Sequence, residues 1–367
     1  MPAPRLPEAW QEAPPSAWKY RAFLPVEERA PIVTLHEGGT PLVACPRLAD
    51  WCGVAELWVK VEGANPTGSF KDRGMTCAVS WAVAHGAEVL GCASTGNTAA
   101  SLAAYAARAG VKAVVLVPQG KVALGKLAQS VAAGARVLEV QGNFDDAMRA
   151  VRGLADAGDL ALLNSVNPFR LEGQKTLAFE VIDQLGWRAP DRLVYPVGNA
   201  GNISAGHKAL REFQQAGLLD RMPMLTGVQA AGSAPVARAI REGGDVQPWP
   251  QPETFATAIR IGAPVSAPKA LAAIRDTKGT AIAMPDDAIR EAQAAMAQQE
   301  GLLVEPASAA PLAGLRALVQ AGEVARSERV VCVATGHGLK DPDAAKALGA
   351  KPRVVAASVE AMREAMR

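Results

Sequence analysis

The run Asn65-Pro66-Thr67-Gly68-Ser69-Phe70-Lys71-Asp72-Arg73-Gly74 places a turn, an aromatic ring and a lysine directly ahead of a helix-compatible stretch, Met75 to Ala84. Asn-Pro and the glycine fix the backbone of the turn, so Lys71 falls at a loop-to-helix junction. The positive end of a helix disfavours a neighbouring cation, and an amine held there gives up its proton more readily. A neutral amine is the form that attacks a carbonyl. A surface lysine paired with Asp72 would leave the same local sequence, so the assignment turns on what else the chain supplies.

Two further segments have the composition of anion-binding loops. Gly198-Asn199-Ala200-Gly201-Asn202 lies between an apolar run, Leu193–Val197, and a helix-compatible stretch from Ile203. Glycines there let the backbone approach an anion, and the free N–H groups of a first helical turn point at it. Gly198, Gly201 and Gly206 do not have the dinucleotide-fingerprint spacing. Gly120-Lys121 is followed by Val122, with Val115 where a phosphate-loop motif needs glycine. Ser94-Thr95-Gly96-Asn97-Thr98 repeats the design ahead of Ala99–Arg108, where Ser94 or Thr95 would also serve as an N-cap. A third polar stretch, Asn164-Ser165-Val166-Asn167-Pro168-Phe169-Arg170, carries an arginine whose planar fork suits a phosphate. Arg170 would equally pair with Glu172 or Glu180 on the surface. A fourth, Ala334-Thr335-Gly336-His337-Gly338-Leu339-Lys340-Asp341-Pro342, follows the last apolar run, and His337 reads as loop structure.

The lysine run and these four segments, in their order along the chain, resemble the pyridoxal-phosphate enzymes of fold type II, the tryptophan synthase β-like family. The lysine segment, in its form SFKDRGM, looks most like that of the threonine synthases, and the likeness runs from about residue 20 to residue 342. The resemblance implies an α/β fold of two open parallel-sheet domains with the active site in the cleft between them. Residues 1–85 and 171–367 would form the larger domain and residues 86–170 a smaller, inserted one. Lys71 would carry pyridoxal 5'-phosphate as an imine and act as the catalytic base, beside Phe70. Asn97 would hydrogen-bond the ring hydroxyl oxygen, Gly198, Asn199, Ala200, Gly201 and Asn202 would hold the cofactor phosphate, and Thr335 would stand beside the pyridine nitrogen. A hydroxyl there holds the ring protonated less firmly than a carboxylate would, which favours elimination and replacement over transamination.

Ser94, Thr95, Gly96 and Thr98 would grip the substrate carboxylate, and Asn164, Ser165 and Arg170 a substrate phosphate. The implied reaction converts O-phospho-L-homoserine and water to L-threonine and phosphate, by γ-elimination and then β-addition of water. That is the last step of threonine biosynthesis, run by a carbon–oxygen lyase acting on phosphates. A homodimer is the family expectation. One rival is a threonine or serine dehydratase of the same fold, which has no substrate phosphate to hold. Another is a non-catalytic paralogue, against which the intact lysine and hydroxyl argue.

The elements that must position these loops follow from the pattern of apolar runs. Glu37-Gly38-Gly39-Thr40-Pro41-Leu42 reads as a turn into a short strand, and Glu56–Lys60 as a strand. From Ala87 the chain alternates strand, loop and helix. Strands are expected at Val89–Ala93, Ala113–Val117, Arg136–Val140 and Leu160–Leu163, and helices at Ala99–Arg108, Lys121–Ala133 and Phe144–Ala157. Ala113–Val117 is apolar without alternation, as in a parallel strand covered on both faces. A second unit begins near Gln174, with a helix at Thr176–Leu185, strands at Leu193–Val197, Leu225–Gln229 and Val330–Ala334, and helices at Asp286–Gln299 and Ala307–Val319. The stretch 243–268 is rich in Pro and Gly and has no clear periodicity. The tail beyond Pro342 reads as one or two peripheral helices. Residues 1–30, with Trp10, Trp18, Tyr20 and Phe23, read as an irregular arm anchored by aromatics.

At 367 residues the chain is long enough for two domains. Lys+Arg 38 against Asp+Glu 36 gives +2, so charge makes no case for nucleic acid or a membrane surface. The five cysteines form no CxxC pair and the four histidines show no metal-site spacing, which points to reduced, buried thiols and no metal. The first residues, MPAPRLPEAWQEAPP, contain no apolar core of a signal peptide. The expectation is a soluble, cytoplasmic enzyme.

Overall fold

The computed structural model describes residue 10 and residues 13–120, 124–349 and 352–366. The expected helical start at Lys121 lies outside the described residues, as does most of the first dozen. The chain enters through β1 (Leu42–Ala44), α1 (Pro46–Cys52) and β2 (Glu56–Val61), and the lysine turn opens α2 (Lys71–Ala84). Strand and helix then alternate through β3 (Val89–Ala93), α3 (Asn97–Ala109), β4 (Lys112–Pro118), α4 (Leu124–Ala132), β5 (Arg136–Val140), α5 (Phe144–Asp156) and β6 (Ala161–Leu162). These four strands form an all-parallel sheet in the order β5-β4-β3-β6.

The long helix α6 (Pro168–Gln184) leads back through β7 (Arg192–Pro196), α7 (Gly201–Gln215), β8 (Met224–Ala230), α8 (Pro235–Glu242) and α9 (Ala267–Asp276). After β9 (Thr280–Met284) come α10 (Asp286–Glu300), α11 (Pro306–Gln320) and β10 (Arg329–Ala334). The second sheet has the order β1-β2-β10-β7-β8-β9, with only β1 antiparallel. The fold is therefore α/β with two mainly parallel sheets, as expected. Continuous apolar runs mark strands buried on both faces. In the second sheet β7 is buried at every position and β10 at all but its first.

Helices cover both faces of the larger sheet. Residues of α1, α10 and α11 fill one core, and residues of α6, α7 and α9 the other. The N-terminal arm closes the second: Trp10 lies edge-on to Tyr20, with ring centroids 5.7 Å apart, and Phe23 packs on Phe179 and Phe213.

One expectation needs correction. The helix expected from Thr176 begins eight residues earlier, because Asn167 caps it through Phe169 N–H and Pro168 fits its first turn. Arg170 consequently sits on a helix that runs unbroken through residues 170 and 171. The aperiodic stretch 243–268 is a loop with a 3-10 turn at Thr257–Ile259, running from the end of α8 into the start of α9 at Ala267.

Helices α2 and α6 cross at glycine contact. A Cβ on Gly74 would lie 2.7 Å from the Arg170 carbonyl, and one on Gly173 would collide with the Arg73 carbonyl. Beneath the crossing, the fully buried Arg73 donates to Glu62 (2.7 Å) and Glu180 (2.9 Å), and Lys60 joins Glu180 at 2.5 Å. Two cations and two carboxylates balance there. Such a set is costly to break from one side, and it fixes the register of the helix that begins with Lys71.

Candidate active site

The carboxyl ends of both sheets face one cleft of about 490 Å³. Open α/β sheets bind ligands at that end of their strands. Lys71 enters the cleft as the first residue of α2, with Nζ 4.2 Å from the centre of the Phe70 ring. Burial, with help from the nearby Arg170 cation, lowers the Lys71 ammonium to about 7, and Glu305 opposes this. Burial therefore dominates the shift that the sequence reading attributed to the helix terminus. Asp72 does not pair with the lysine; it accepts from Thr67 N (2.7 Å), Thr67 Oγ1 (2.6 Å) and Ser101 Oγ (2.6 Å), bracing the turn.

Gly198, Asn199, Ala200, Gly201 and Asn202 line the same cleft between β7 and α7. Ala200, the N-cap of α7, has φ +64°, a left-handed turn that gathers successive N–H groups into a concavity. Gly198 carries no side chain because Ala258 O would lie 3.0 Å from its Cβ. Both polar atoms of the buried Asn202 side chain lack a hydrogen-bond partner. Buried amides are nearly always paired, so this cradle awaits a polar ligand. A neutral-capable lysine, an anion cradle and a hydroxyl across the cleft at Thr335 fit pyridoxal phosphate.

Ser94, Thr95, Gly96, Asn97 and Thr98 also line the cleft. The helix there is capped by the backbone of Gly96 and not by the Ser94 or Thr95 side chain, so the capping expectation fails. Asn164 and Ser165 reach the wall too, but Asn164 already bridges Ala93 N and Ala93 O, each at 2.9 Å. Arg170 is not on the wall. It lies one layer behind, 1% exposed, donating to Leu163 O at 3.2 Å and Thr98 Oγ1 at 3.4 Å. No carboxylate among the described residues pairs with it, and its Nε has no partner. The surface pairing with Glu172 or Glu180 is thus overturned: Glu172 binds Lys175 and Lys208, and Glu180 binds Lys60 and Arg73. His337, as expected, is loop structure, its Nδ1 accepting from Leu339 N.

Sequence reasoning missed Glu305, Lys340 and the wall formed by Thr257, Ala258, Ile259, Arg260 and Ile261. Glu305 was legible as the lone acid in the run Leu302–Ala310. The Thr257–Ile261 wall belongs to the aperiodic stretch and gives no such signal. Lys340 donates to Thr67 O at 2.9 Å and to Gln129 of α4, and so ties the lysine turn to the four-stranded unit.

A sequence profile of the family described as "Pyridoxal-phosphate dependent enzyme" matches residues 33–336. A threonine synthase of Methanocaldococcus jannaschii is 55% identical over 351 residues, covering 95% of this chain and 87% of that protein. The chain belongs to the threonine synthases of the pyridoxal-phosphate-dependent enzyme family. A second threonine synthase, of Methanosarcina acetivorans, is 56% identical and covers 96% and 87% of the two chains. Among solved structures, a threonine deaminase of Solanum lycopersicum superposes with a TM-score of 0.71 at 22% identity, covering 84% of this chain and 86% of that one. At that identity it speaks for the fold alone. The dehydratase alternative is not favoured. No helix among the described residues is long and apolar enough to cross a membrane, and no cluster there could hold a metal ion.

Proposed function

We propose that this cleft converts O-phospho-L-homoserine and water to L-threonine and inorganic phosphate, with Lys71 as the residue that binds pyridoxal phosphate and moves the protons. The bound cofactor supplies an electron sink for carbanions at the substrate's reacting carbons. Lys71 has an amine poised near neutrality, able to take a proton from Cα and return it further along the chain. Asn202 and the turn at Ala200 would hold the cofactor phosphate, Asn97 and Thr335 the two edges of its ring, and Ser94 to Thr98 the substrate carboxylate at the start of α3.

The observation that carries the substrate assignment is Arg170. A buried guanidinium with no carboxylate partner is an energetic liability unless an anion arrives. Its surroundings supply only a carbonyl and the Thr98 hydroxyl, and the latter faces the cleft. A substrate phosphate at Ser165 would offset that charge, with Arg170 acting from one layer behind the wall. Asn164 supports that site as a brace, since both ends of its amide hold Ala93. We further infer that residues 86–170 close against 1–85 and 171–367 and expel water, Lys340 being one tie between them. The five free, buried thiols accord with the cytoplasm, and a homodimer remains the family expectation, checked by a sedimentation mass of twice 38.1 kDa.

The test is to incubate the purified protein with O-phospho-L-homoserine and quantify phosphate and threonine together. Equal release establishes the activity. Phosphate without threonine would leave a phospholyase that lacks water addition, and neither product from a cofactor-loaded protein would remove the role given to Arg170.

A further inference from the structure

Glu305 belongs to none of the sequence motifs, yet its carboxyl lies in the cleft at the meeting point of two residues assigned to the cofactor ring. It is the N-cap residue of the fifteen-residue helix α11, but its side chain makes no cap hydrogen bond and faces the cleft instead. Asn97 Nδ2 donates to both of its oxygens, at 3.1 and 3.3 Å. Thr335 Oγ1 lies 3.5 Å from Oε1. A Cβ on Gly336 would fall 2.5 Å from that same oxygen, so the glycine makes room for the carboxyl. Ser308, one turn into α11, completes the set: its Oγ is 3.0 Å from Thr335 Oγ1 and accepts from Gly336 N at 2.9 Å.

A threonine hydroxyl has one hydrogen and two lone pairs, so what Thr335 offers the cleft depends on its buried neighbours. An ionised Glu305 only accepts. It then draws the Thr335 hydrogen and leaves a lone pair toward the cleft. A protonated Glu305 donates to Thr335, which frees the Thr335 hydrogen to point into the cleft. Ser308 cannot make this choice alone, because its hydrogen is shared between Thr335 Oγ1 and Gly336 O at 3.3 Å. In both states Glu305 accepts from Asn97 and so fixes which amide hydrogen Asn97 turns to its other side.

We propose that Glu305 is the positioning residue of this site, which orients Asn97 and sets, through its own proton, the direction of the Thr335 hydroxyl. The proposal rests on the reading that the cofactor ring lies between Asn97 and Thr335. One proton is then shared by the Glu305 carboxyl, the Thr335 hydroxyl and the ring nitrogen, and the two end groups titrate as a coupled pair. A carboxylate facing the ring nitrogen would hold it protonated. Set back behind a hydroxyl, Glu305 can keep the proton itself and leave the ring the weaker sink that elimination needs. Burial raises the Glu305 carboxyl, while Asn97, Lys340 from the loop after β10 and Lys71 at the start of α2 oppose it, and Asp341 adds to the rise.

The test uses the holoenzyme: the absorption band of bound pyridoxal phosphate is followed against pH, and the cofactor dissociation constant is measured, in wild type, Glu305→Gln, Glu305→Ala and Thr335→Val. Glutamine keeps an acceptor for Asn97 and a donor for Thr335 but cannot ionise. It is expected to bind cofactor within about threefold of wild type, whereas alanine weakens binding roughly tenfold. The pH-dependent change of the band should disappear in Glu305→Gln and in Thr335→Val alike. A wild-type pH curve in Glu305→Gln overturns the proposal, as does a curve lost in Glu305→Gln but kept in a Thr335→Val protein whose cofactor affinity has changed. If Thr335→Val and Asn97→Ala both match wild type in band and affinity, the ring is not between them, and the site assignment fails first.

Discussion

Replacing Arg170 with methionine should raise stability and abolish efficient turnover together, a pair of signs that separates a ligand-binding cation from a structural one. Burial lowers the Arg170 guanidinium to about 10 from 12.5. At roughly 1.4 kcal/mol per pH unit, that gap is about 3 kcal/mol held against the charged form. The sign follows from the order of the two values. Below pH 10 the arginine is charged in both folded and unfolded chains, so the whole penalty is present at neutral pH and is relieved only as pH rises past 10. Methionine fills similar volume without charge and removes the penalty. It also loses two long hydrogen bonds, at 3.2 and 3.4 Å, worth about 1 kcal/mol each. The net expectation without substrate is a gain of about 1 kcal/mol, read as a small rise in Tm or in the urea midpoint.

Turnover should move the other way. The Arg170 charge acting on a phosphate one layer away is worth about 3 kcal/mol, so kcat/KM for O-phospho-L-homoserine should fall roughly 10²-fold. Inorganic phosphate at about 100 Kd should stabilise wild type by about 2.7 kcal/mol and leave the variant unmoved. Arg170→Lys, which keeps charge but loses the fork, should recover only part of the rate. The reasoning is refuted if Arg170→Met turns over within about threefold of wild type. It is equally refuted if the variant loses more than about 2 kcal/mol of stability, since that would make Arg170 a structural brace.

Three further outcomes follow from the same geometry. Capture of pyridoxal phosphate by the apoenzyme needs the neutral Lys71 amine, so its rate should climb with pH and level off above about 7; a rise still continuing near pH 10 would contradict the burial argument, and Lys71→Ala should lose turnover altogether. Asn202→Ala removes the amide that waits unpaired in the cradle, and the cofactor Kd should rise by about tenfold while apo stability holds or improves, both measurable by titration and thermal unfolding. Burial pushes the Glu180 carboxyl up, but Arg73 and Lys60 outweigh it and hold it down to about 2. Its contribution to stability is therefore full above 4.5 and lost as pH falls toward 2, so urea midpoints should drop across that window in wild type, with a visibly smaller slope in Glu180→Gln.

What the sequence made legible is the set of positions whose role is fixed locally. A turn that ends in Lys71, a glycine loop between an apolar strand and a helix, and a polar loop before α3 each announce themselves through backbone chemistry within about ten residues. All of them meet at the cleft. Contacts made between distant segments left little trace. Glu305 is separated from Asn97 by more than half the chain, and only its isolation in an apolar run hinted at burial. The wall at Thr257–Ile261 is held by loop packing, such as Ala258 O against Gly198, which has no period to detect. Capping shows the same limit: Ser94 and Thr95 have the right chemistry for an N-cap, yet the loop turns both into the cleft and leaves Gly96 in that position.

Arg170 shows how a residue can be chosen for the right chemistry and assigned the wrong surroundings. Its fork was legible, but the cap at Asn167 and Pro168 starts α6 early and carries Arg170 behind the wall, against α2. There its guanidinium meets the Leu163 carbonyl and the Thr98 hydroxyl and no carboxylate among the described residues. The same condition recurs around the cleft: Asn202 lacks hydrogen-bond partners, the Lys71 amine is driven toward neutrality, and Glu305 is pushed toward protonation. Elsewhere buried charge is paired, as in the Arg73 cluster. Buried polar atoms without a partner also occur away from the cleft, at Ser130 and Arg316 for example, but the cleft brings Asn202, Lys71 and Glu305 together around one cavity. On the proposed reading, the cradle around Asn202 would take the cofactor phosphate and the spare Arg170 charge a substrate phosphate, as a reaction that handles two phosphates needs.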